Sequence, residues 1–339
     1  MAVAWVFMMN NKGKIIVTGG AGYIGSHTAK ELYLSGYVPY VLDNFSTGHD
    51  WAVQWGDSYN VDLFDKKKLF NILKEIEPKA VIHFAASSLV SESYNNPIFY
   101  FNNNVIGAMN LLESMHELRI DKLIFSSSCS VYGIPKTIPI PNDHPLNPIS
   151  PYGESKSIIE KILRWYSELN SLKYMSLRYF NAAGADPDNE IGEQHNPETH
   201  LIPLAIDVAL GIKEYLDIYG ADYHTDDGTA IRDYVHVKDL ALAHIKALDY
   251  LLRGGSSHSL NLGTGKGYSV NQIISEVSKI SNNKILSYNK KRRLGDPSTL
   301  IADNQKAIEI LNWKPVYSDL HTIISTAYEW QKKQNTIIK

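Results

Sequence analysis

The stretch Lys14-Ile15-Ile16-Val17-Thr18-Gly19-Gly20-Ala21-Gly22-Tyr23-Ile24-Gly25 decides the fold. Its first five residues form a short run that predicts a buried strand, and a turn with several glycines follows. Gly19 permits the tight turn, Gly22 lets a phosphate approach the backbone, and Gly25 lets the next helix pack closely. That helix, starting near Tyr23, points its first amide groups toward the turn. The stretch predicts a dinucleotide site, with a plain strand-to-helix turn as the alternative.

Alternating strand and helix patterns continue through the first half of the chain. Short apolar runs typical of buried parallel strands lie at 38–43, 80–84, 122–126 and 174–179. Helical patterns lie at about 23–35, 65–76, 102–118 and 152–169. This alternation predicts an α/β fold, a Rossmann-type doubly wound parallel sheet. We expect a dinucleotide-binding domain at 14–180, with return segments near 237–262, and a smaller C-terminal α/β substrate domain at 181–335.

An acidic residue ends the second predicted strand. Asp43 lies where a carboxylate accepts hydrogen bonds from the adenosine ribose and repels a 2′-phosphate. Residues 44–48 contain no lysine or arginine to hold such a phosphate. The pattern therefore favours NAD over NADP as the cofactor. A loop cap is the alternative role for Asp43, and Asp62 fits either the adenine edge or a turn.

Three residues predict the chemistry beside this cofactor. Tyr152 and Lys156 lie four residues apart on a predicted helix, so their side chains share one face. A free tyrosine has a pKa of about 10, and a nearby ammonium in a partly desolvated site lowers it. Ser128 ends a strand, where hydroxyls face the ligand crevice of a parallel sheet. The alternatives are an ordinary helix surface for Tyr152 and Lys156 and a polar loop for Ser128. Because these residues follow a dinucleotide motif in the chain, the sequence favours a phenol that helps to oxidise a hydroxyl.

The composition excludes several classes of partner. The 339-residue chain has 33 Lys+Arg and 36 Asp+Glu, a net charge of −3, which argues against a general nucleic-acid-binding role. The single cysteine, Cys129, fits a reducing compartment, and the apolar segment 2–9 is shorter than the roughly 20 residues of a membrane span. We expect a cytoplasmic protein with no membrane partner and no metal, whose translation starts at Met8 or Met9.

These motifs in combination resemble the extended short-chain dehydrogenase/reductases, and within them the UDP-glucose 4-epimerases. The matching stretches include the glycine loop, the serine run 126–128, Tyr152–Lys156 and Tyr179-Phe180-Asn181, and then 196–203, 228–237 and 292–296. The match extends from Lys14 to about Pro315. It implies an NAD-dependent isomerase that interconverts UDP-glucose and UDP-galactose. Hydride would leave sugar C4, the 4-keto sugar would rotate, and the hydride would return. A homodimer through helices near 90–118 and 152–169 is also implied.

The resemblance assigns residues to three sets. The catalytic set is Ser128, Tyr152 and Lys156. The cofactor set is Gly19, Gly22, Tyr23, Ile24, Gly25, Asp43, Asn44, Asp62, Leu63, Phe84, Ala85, Asn103, Tyr152, Lys156 and Phe180. The substrate set is Ser128, Tyr152, Asn181, Leu201, Arg232, Arg293 and Asp296. Two arginines suit a diphosphate, although surface salt bridges are the alternative for either one.

Two departures from the family pattern leave questions open. Ser88 stands where many epimerases carry a lysine, so one charged contact to the cofactor is missing. Leu300 is intermediate between the tyrosine of enzymes that exclude N-acetylated sugars and the small residue of those that accept them. A 4-epimerase of UDP-N-acetylhexosamines or UDP-pentoses is therefore an alternative. A nucleotide-sugar dehydratase is less favoured, because related dehydratases carry Thr-Asp-Glu at positions 128–130. The last alternative is an inactive NAD-sensing protein. Such a protein would not need Tyr152 or Lys156, and this chain has both.

Overall fold

The computed structural model describes residues 11–293 and 295–338, with the side chains of 11–293 and 295–336. Its strands are β1 (Lys14–Thr18), β2 (Val38–Asp43), β3 (Asp57–Asn60), β4 (Ala80–His83), β5 (Lys122–Ser128), β6 (Lys173–Tyr179), β7 (Asn181–Ala183), β8 (Leu216–Tyr219), β9 (Ile231–Arg232), β10 (Tyr234–His236), β11 (His258–Leu262), β12 (Tyr268–Ser269), β13 (Ser287–Lys290) and β14 (Thr299–Leu300). The predicted start at Met8 or Met9 lies outside the described residues.

The helices alternate with these strands in the first half of the chain. They are α1 (Tyr23–Leu34), α2 (Lys66–Ile76), α3 (Val90–Asn95), α4 (Pro97–Tyr100), α5 (Gly107–Glu117), α6 (Pro151–Leu169), α7 (Leu201–Ala209), α8 (Val237–Leu252), α9 (Val270–Ser281), α10 (Gln305–Leu311) and α11 (Leu320–Ile338). A π-helical segment, Phe101–Ile106, joins α4 to α5, and 3₁₀ turns lie at Asp50–Ala52 and Cys129–Tyr132. Within the described chain, no helix is both long and apolar enough to cross a membrane.

A seven-stranded sheet in the order β11-β6-β5-β4-β1-β2-β3 confirms the predicted doubly wound α/β class. The pairs β1–β2, β1–β4, β2–β3 and β4–β5 are parallel. The apolar runs that predicted the strands are buried, as expected for parallel strands with covered faces. Leu69 of α2, Leu111 of α5 and Leu163 of α6 are fully buried in one hydrophobic core.

Side-chain caps begin several helices where the sequence provides them. Asp65 accepts a hydrogen bond from the Lys68 amide (3.0 Å) at the start of α2. Ser269 and Gln272 form a capping box at the start of α9. These local contacts explain why the helices begin at the residues observed.

The chain divides into two compact units. Among the described residues, the first comprises 11–133, Leu146–Arg178 and Ala241–Leu260. The second comprises Ile134–Pro145, Tyr179–Leu240, 261–293 and 295–338. The domain boundary predicted from the sequence instead places residues 134–145 in the first domain. The assignment of one domain to the cofactor and the other to the substrate stays a prediction.

The second unit is held together by small sheets and one buried carboxylate. Its sheets pair β10 with β7, β9 with β12 and β14, and β13 with β8. Asp233 is fully buried and accepts hydrogen bonds from the amides of Thr264 (2.8 Å) and Ala302 (3.1 Å), among others. Ile206, Ile273 and Ile323 pack together in the hydrophobic core of the second unit. Asp233 therefore fixes the segment between β9 and β10 against two distant loops.

Candidate active site

Of the four glycines in the glycine loop, Gly22 has the most room around it. Gly19 has a φ of +69°, and a Cβ there would lie 2.6 Å from the Ala85 nitrogen. A Cβ on Gly25 would lie 2.2 Å from the Gly19 oxygen, so both glycines are required by the packing of the chain itself. A Cβ on Gly22 would meet only the Gly19 oxygen, at 3.3 Å. Packing within the chain therefore constrains Gly22 less than Gly19 and Gly25, and the missing side chain leaves room above the loop for a ligand.

The helix after this loop presents amide groups to the same space. Gly22 is the N-cap of α1 and has no side chain to accept a hydrogen bond from the first turn. Amide groups at such a helix start, with the positive end of the helix dipole, attract a phosphate. Tyr23 and Ile24, both in the predicted cofactor set, open this helix. The loop and the helix start together fit a dinucleotide pyrophosphate.

Asp43 caps the loop, one of the two roles that the sequence allows, and its contact with a ribose stays a prediction. One carboxylate oxygen accepts a hydrogen bond from the Ala21 amide at 3.0 Å, and the other accepts one from Phe45 at 2.9 Å. The residue is thus a loop cap beside the glycine turn, and a carboxylate, with four lone pairs, can accept a further hydrogen bond beyond those from the backbone. Burial raises the pKa of Asp43. The side-chain Nδ2 of Asn44 donates to the Asp62 carboxylate at 2.8 Å, which brings two further predicted cofactor residues together.

A network of amide and hydroxyl groups fixes the segment that follows β4. The Ser87 amide donates to the Asn104 side chain at 2.8 Å, and Asn103 donates to the Ser87 hydroxyl at 3.1 Å. Asn104 also donates to the hydroxyl of Ser155 on α6, at 3.1 Å. The network orders the segment that begins with Phe84 and Ala85. Sequence reasoning missed Ser87 and Asn104, although the run of asparagines at 102–104 is a signal that could have found them.

Lys156 is buried next to Tyr152, as their shared helix face predicts. Its ammonium donates to the Ser126 carbonyl at 2.8 Å and lies 5.8 Å from the centre of the Tyr152 ring. Only 2% of Lys156 is exposed, and this burial lowers its pKa to about 7, against the opposing charge of Glu160. A negative charge that develops at Tyr152 would favour the ammonium form of this lysine. The pair is therefore suited to stabilise a phenolate.

The start of α6 brings Tyr152 toward the end of β5. The Ser150 hydroxyl caps the helix by accepting a hydrogen bond from the Gly153 amide, at 3.1 Å. A Cβ on Gly153 would lie 2.5 Å from the Ser130 oxygen, so this glycine allows close packing of α6 on the turn after β5. The Ser128 hydroxyl hydrogen-bonds to that of Ser130 at 3.1 Å in the same turn. The predicted catalytic set thus gathers where β5 meets α6.

A buried ion pair ties α6 to the sheet. Glu160 lies one turn beyond Lys156, and Arg178 of β6 donates to its carboxylate from Nη2 at 2.5 Å and from Nε at 2.9 Å. The Ser127 hydroxyl of β5 donates to the same carboxylate at 2.6 Å. Arg178 also donates to the Tyr132 hydroxyl at 2.9 Å. Sequence reasoning missed these residues; the continuation of the four-residue spacing from Lys156 to Glu160 is the only local signal for them.

In the second unit, several predicted substrate residues gather around β9. The guanidinium of Arg232 forms an ion pair with Asp296, and the Asp296 amide donates to the Arg293 carbonyl at 3.4 Å. Leu300 of β14 is the register partner of Arg232. The Asn181 amide donates to the carbonyl of Asp233 at 3.0 Å.

The remaining predicted residues of the second unit take separate positions. Leu201 opens α7 and packs against the core of the unit. The Phe180 amide donates to the Leu262 carbonyl at 3.2 Å. The guanidinium of Arg293 lies over the Tyr219 ring at 4.2 Å. Arg232 thus forms an ion pair with Asp296, while Arg293 makes a cation–π contact with the Tyr219 ring.

Comparisons with known proteins identify the family. Residues 16–325 match the family model described as GDP-mannose 4,6 dehydratase. The UDP-glucose 4-epimerase of Rhizobium leguminosarum bv. trifolii is 47% identical over 321 residues, which cover 95% of this chain and 98% of the relative. That of Bacillus subtilis is 41% identical over 332 residues, 94% of this chain and 96% of the relative. The chain belongs to the UDP-glucose 4-epimerase family. The predicted resemblance is confirmed.

Solved structures agree with this assignment. The UDP-glucose 4-epimerase of Brucella ovis, in complex with NAD, has a TM-score of 0.91 and 48% identity, covering 93% of this chain and 97% of that one. The UDP-Glc/GlcNAc 4-epimerase of Campylobacter jejuni has a TM-score of 0.83 and 40% identity, covering 94% and 99%. The family model carries the description of a dehydratase, and residues 128–130 of this chain are Ser-Cys-Ser, a run without a carboxylate.

The glycine loop generates the first testable prediction. Gly22→Ala fits the observed backbone, with a φ of −83°, and its Cβ would meet only the Gly19 oxygen, at 3.3 Å, so a backbone shift of a few tenths of an ångström should let the variant fold with near-wild-type stability. Its methyl group would enter the space of the pyrophosphate and should weaken dinucleotide binding at least about tenfold, roughly 1.4 kcal/mol. Gly25→Ala should lose folding and binding together. Titration of cofactor-stripped protein with NAD measures the affinity, and wild-type affinity in Gly22→Ala would contradict the interpretation.

Proposed function

We propose that this chain interconverts UDP-glucose and UDP-galactose with NAD bound at the glycine loop. The observation that carries the proposal is the buried Lys156 ammonium, 5.8 Å from the Tyr152 ring on one face of α6. The predicted activity and cofactor are confirmed at the level of the family, whose relatives carry the name UDP-glucose 4-epimerase and include an NAD complex. A solved relative from Bifidobacterium longum holds NAD⁺ and UDP, at 35% identity.

The residues of the first unit fit NAD. The open space above Gly22 and the amide groups of α1 suit the pyrophosphate. Asp43 keeps acceptor capacity for the adenosine ribose, and Asn44 and Asp62 lie together beside it. Phe84 and Ala85 follow β4 next to Gly19, in a segment ordered by Asn103 and Asn104. These groups would hold the cofactor, and the assignment of each residue is our proposal.

The chain's own residues supply the proton chemistry of the reaction. When bound at this site, NAD would supply the acceptor for the hydride of sugar carbon 4 and the donor that returns the hydride to the other face of the 4-keto sugar. The Tyr152 phenolate accepts the proton of the 4-hydroxyl, so the C4–O bond becomes a carbonyl as the hydride leaves. The Lys156 ammonium stabilises the phenolate through its charge. Ser128 hydrogen-bonds the sugar hydroxyl, and Tyr152 returns the proton in the second half of the cycle.

We assign the UDP part of the substrate to residues of the second unit. Arg232 and Arg293 offer planar guanidinium groups of the kind that bind diphosphates through paired hydrogen bonds. The ion pair with Asp296 orients the Arg232 guanidinium before the substrate arrives. Asn181 and Leu201 complete the proposed substrate set. Because the 4-keto sugar must rotate within the site to present its other face, the protein must bind the UDP part more tightly than the hexose.

The breadth of accepted sugars depends on the residue at position 300. Leu300 is the register partner of Arg232, so it lies on the strand next to a proposed diphosphate ligand. The Campylobacter jejuni relative, named a UDP-Glc/GlcNAc 4-epimerase, shows that family members of this similarity differ in substrate. We propose the glucose–galactose pair for this chain, and a parallel assay with UDP-N-acetylgalactosamine and UDP-xylose tests the alternatives. A cytoplasmic location stays a prediction from the sequence.

The catalytic role of Tyr152 is tested by Tyr152→Phe. Loss of the hydroxyl removes the base, so we expect turnover of UDP-galactose to fall by about 10²–10⁴ while bound NAD is retained. Tyr166→Phe, on the same helix, is the matched control and should keep wild-type turnover. Product separation without added NAD measures the rate, and cofactor absorbance measures the NAD content. Unchanged turnover in Tyr152→Phe would reject the mechanism and favour a sensor.

A homodimer is the second part of the proposal. Ile98 and Met109, between residues 90 and 118, are 74% and 46% exposed, and Trp165 and Leu169 of α6 are 53% and 75% exposed. Such exposed apolar side chains on neighbouring helices are typical of a protein interface. Sedimentation equilibrium should give twice the chain mass, and Ile98→Asp should shift it to the monomer. Ile212→Asp, 51% exposed in the second unit, is the control. A wild-type monomer would contradict the proposal.

A further inference from the structure

Two histidines and two glutamates of the second unit converge on one point ahead of α7. They are Glu193, His195, Glu198 and His200, and one ligand atom from each lies within 4.8 Å of all the others. Both histidines present the same ring nitrogen, Nδ1, to the glutamate oxygens. Two imidazoles and two carboxylates are a donor set typical of Zn²⁺.

The distances from each Nδ1 to the carboxylate oxygens, 2.8–3.6 Å, bracket the edge of a coordination tetrahedron, with Glu198 presenting Oε2 to His195 and Oε1 to His200. Ligands about 2.0–2.1 Å from Zn²⁺ lie about 3.4 Å from one another. The Nδ1 of His195 is 3.1 Å from Glu193 and 3.6 Å from Glu198. The Nδ1 of His200 is 2.8 Å from Glu193 and 2.9 Å from Glu198. Each nitrogen thus faces two carboxylates at once. A single N–H proton can point at only one of them, whereas a shared cation attracts both.

The backbone around the four ligands is fixed by the protein. The indole of Trp330, 2% exposed, donates to the Glu193 carbonyl at 2.9 Å. A Cβ on Gly192 would lie 2.4 Å from the same indole, so the chain here is pressed against α11. One oxygen of Glu198 accepts the amides of Thr199 (2.7 Å) and His200 (2.8 Å). The side chains of Glu193 and Glu198 are 8% and 14% exposed. Rigid, buried carboxylates preorganise a metal site.

We propose that Glu193, His195, Glu198 and His200 form a structural site for a divalent transition metal of the Zn²⁺ class. The ion would tie the loop that ends at His200 to the start of α7. The sequence alone predicted no metal. With all four protein positions used, the site has no open position, which fits a structural and not a catalytic ion.

The competing arrangement is a pair of His–Glu ion pairs without a metal. In that case the charge of Glu193 raises the pKa of His200 to about 10, so the imidazole keeps its proton at neutral pH. Such ion pairs would neither bind zinc nor respond to a chelator. Metal binding therefore separates the two arrangements.

The test uses the full-length protein as purified and after treatment with a chelator. We expect about one zinc per chain by elemental analysis, a lower unfolding temperature after chelation, and recovery on adding Zn²⁺. His195→Gln should lose the bound zinc. His321→Gln is the matched control, because the Nδ1 of His321 faces Glu276 alone, at 3.1 Å, and it should keep the zinc.

A second measurement keeps the proposal testable if His195→Gln fails to fold. Co²⁺ added to chelator-treated wild-type protein should give the intense visible absorption of a four-coordinate ion, saturating at one equivalent. The weak spectrum of six-coordinate Co²⁺, no saturable binding, or equal zinc in wild type and His195→Gln would overturn the proposal. None of these readouts depends on epimerase activity.

Discussion

The buried ion pair between Glu160 and Arg178 is the constraint on which the placement of the catalytic side chains depends. Both side chains are less than a tenth exposed, and their charges are satisfied by each other and by the hydroxyls of Ser127 and Tyr132. Removal of one partner from such a pair costs about 3–5 kcal/mol, because the other charge stays buried and uncompensated. The pair therefore holds α6 to β5 and β6 in one register, and Lys156 and Tyr152 lie one and two turns before Glu160 on that helix.

This placement also explains why the burial of Lys156 is useful. A lysine ammonium away from water is costly, so burial lowers its pKa to about 7. The same dry surroundings strengthen its attraction for a negative oxygen on the neighbouring phenol. A surface lysine at this spacing would be screened by water and would stabilise a phenolate only weakly. The geometry of α6 thus converts a common four-residue spacing into a pair suited to acid–base chemistry.

The features that the sequence predicted correctly are those encoded locally. The glycine spacing, the apolar runs and the position of Tyr152 relative to Lys156 each lie within a few residues, and all are found as predicted. The pair of Glu160 and Arg178 could not be predicted, because it joins a helix to a strand that follows it in the chain, and the four-residue spacing that leads from Lys156 to Glu160 does not point to Arg178. The same holds for Asp233, whose donors Thr264 and Ala302 are distant in sequence. The assignment of Arg232 and Arg293 to a diphosphate rests on resemblance, since an arginine alone does not distinguish a ligand from an ion pair.

The account depends most on the claim that the hydrogen on sugar carbon 4 leaves and returns as a hydride within one enzyme-bound cycle. The most direct measurement converts UDP-galactose carrying deuterium at C4, in ordinary water and without added NAD, and locates the label in the product. Complete retention of deuterium at C4 of UDP-glucose is the predicted result. Replacement of the label by hydrogen from water would show that C4 loses a proton instead, and would contradict the role given to Tyr152 and the bound cofactor.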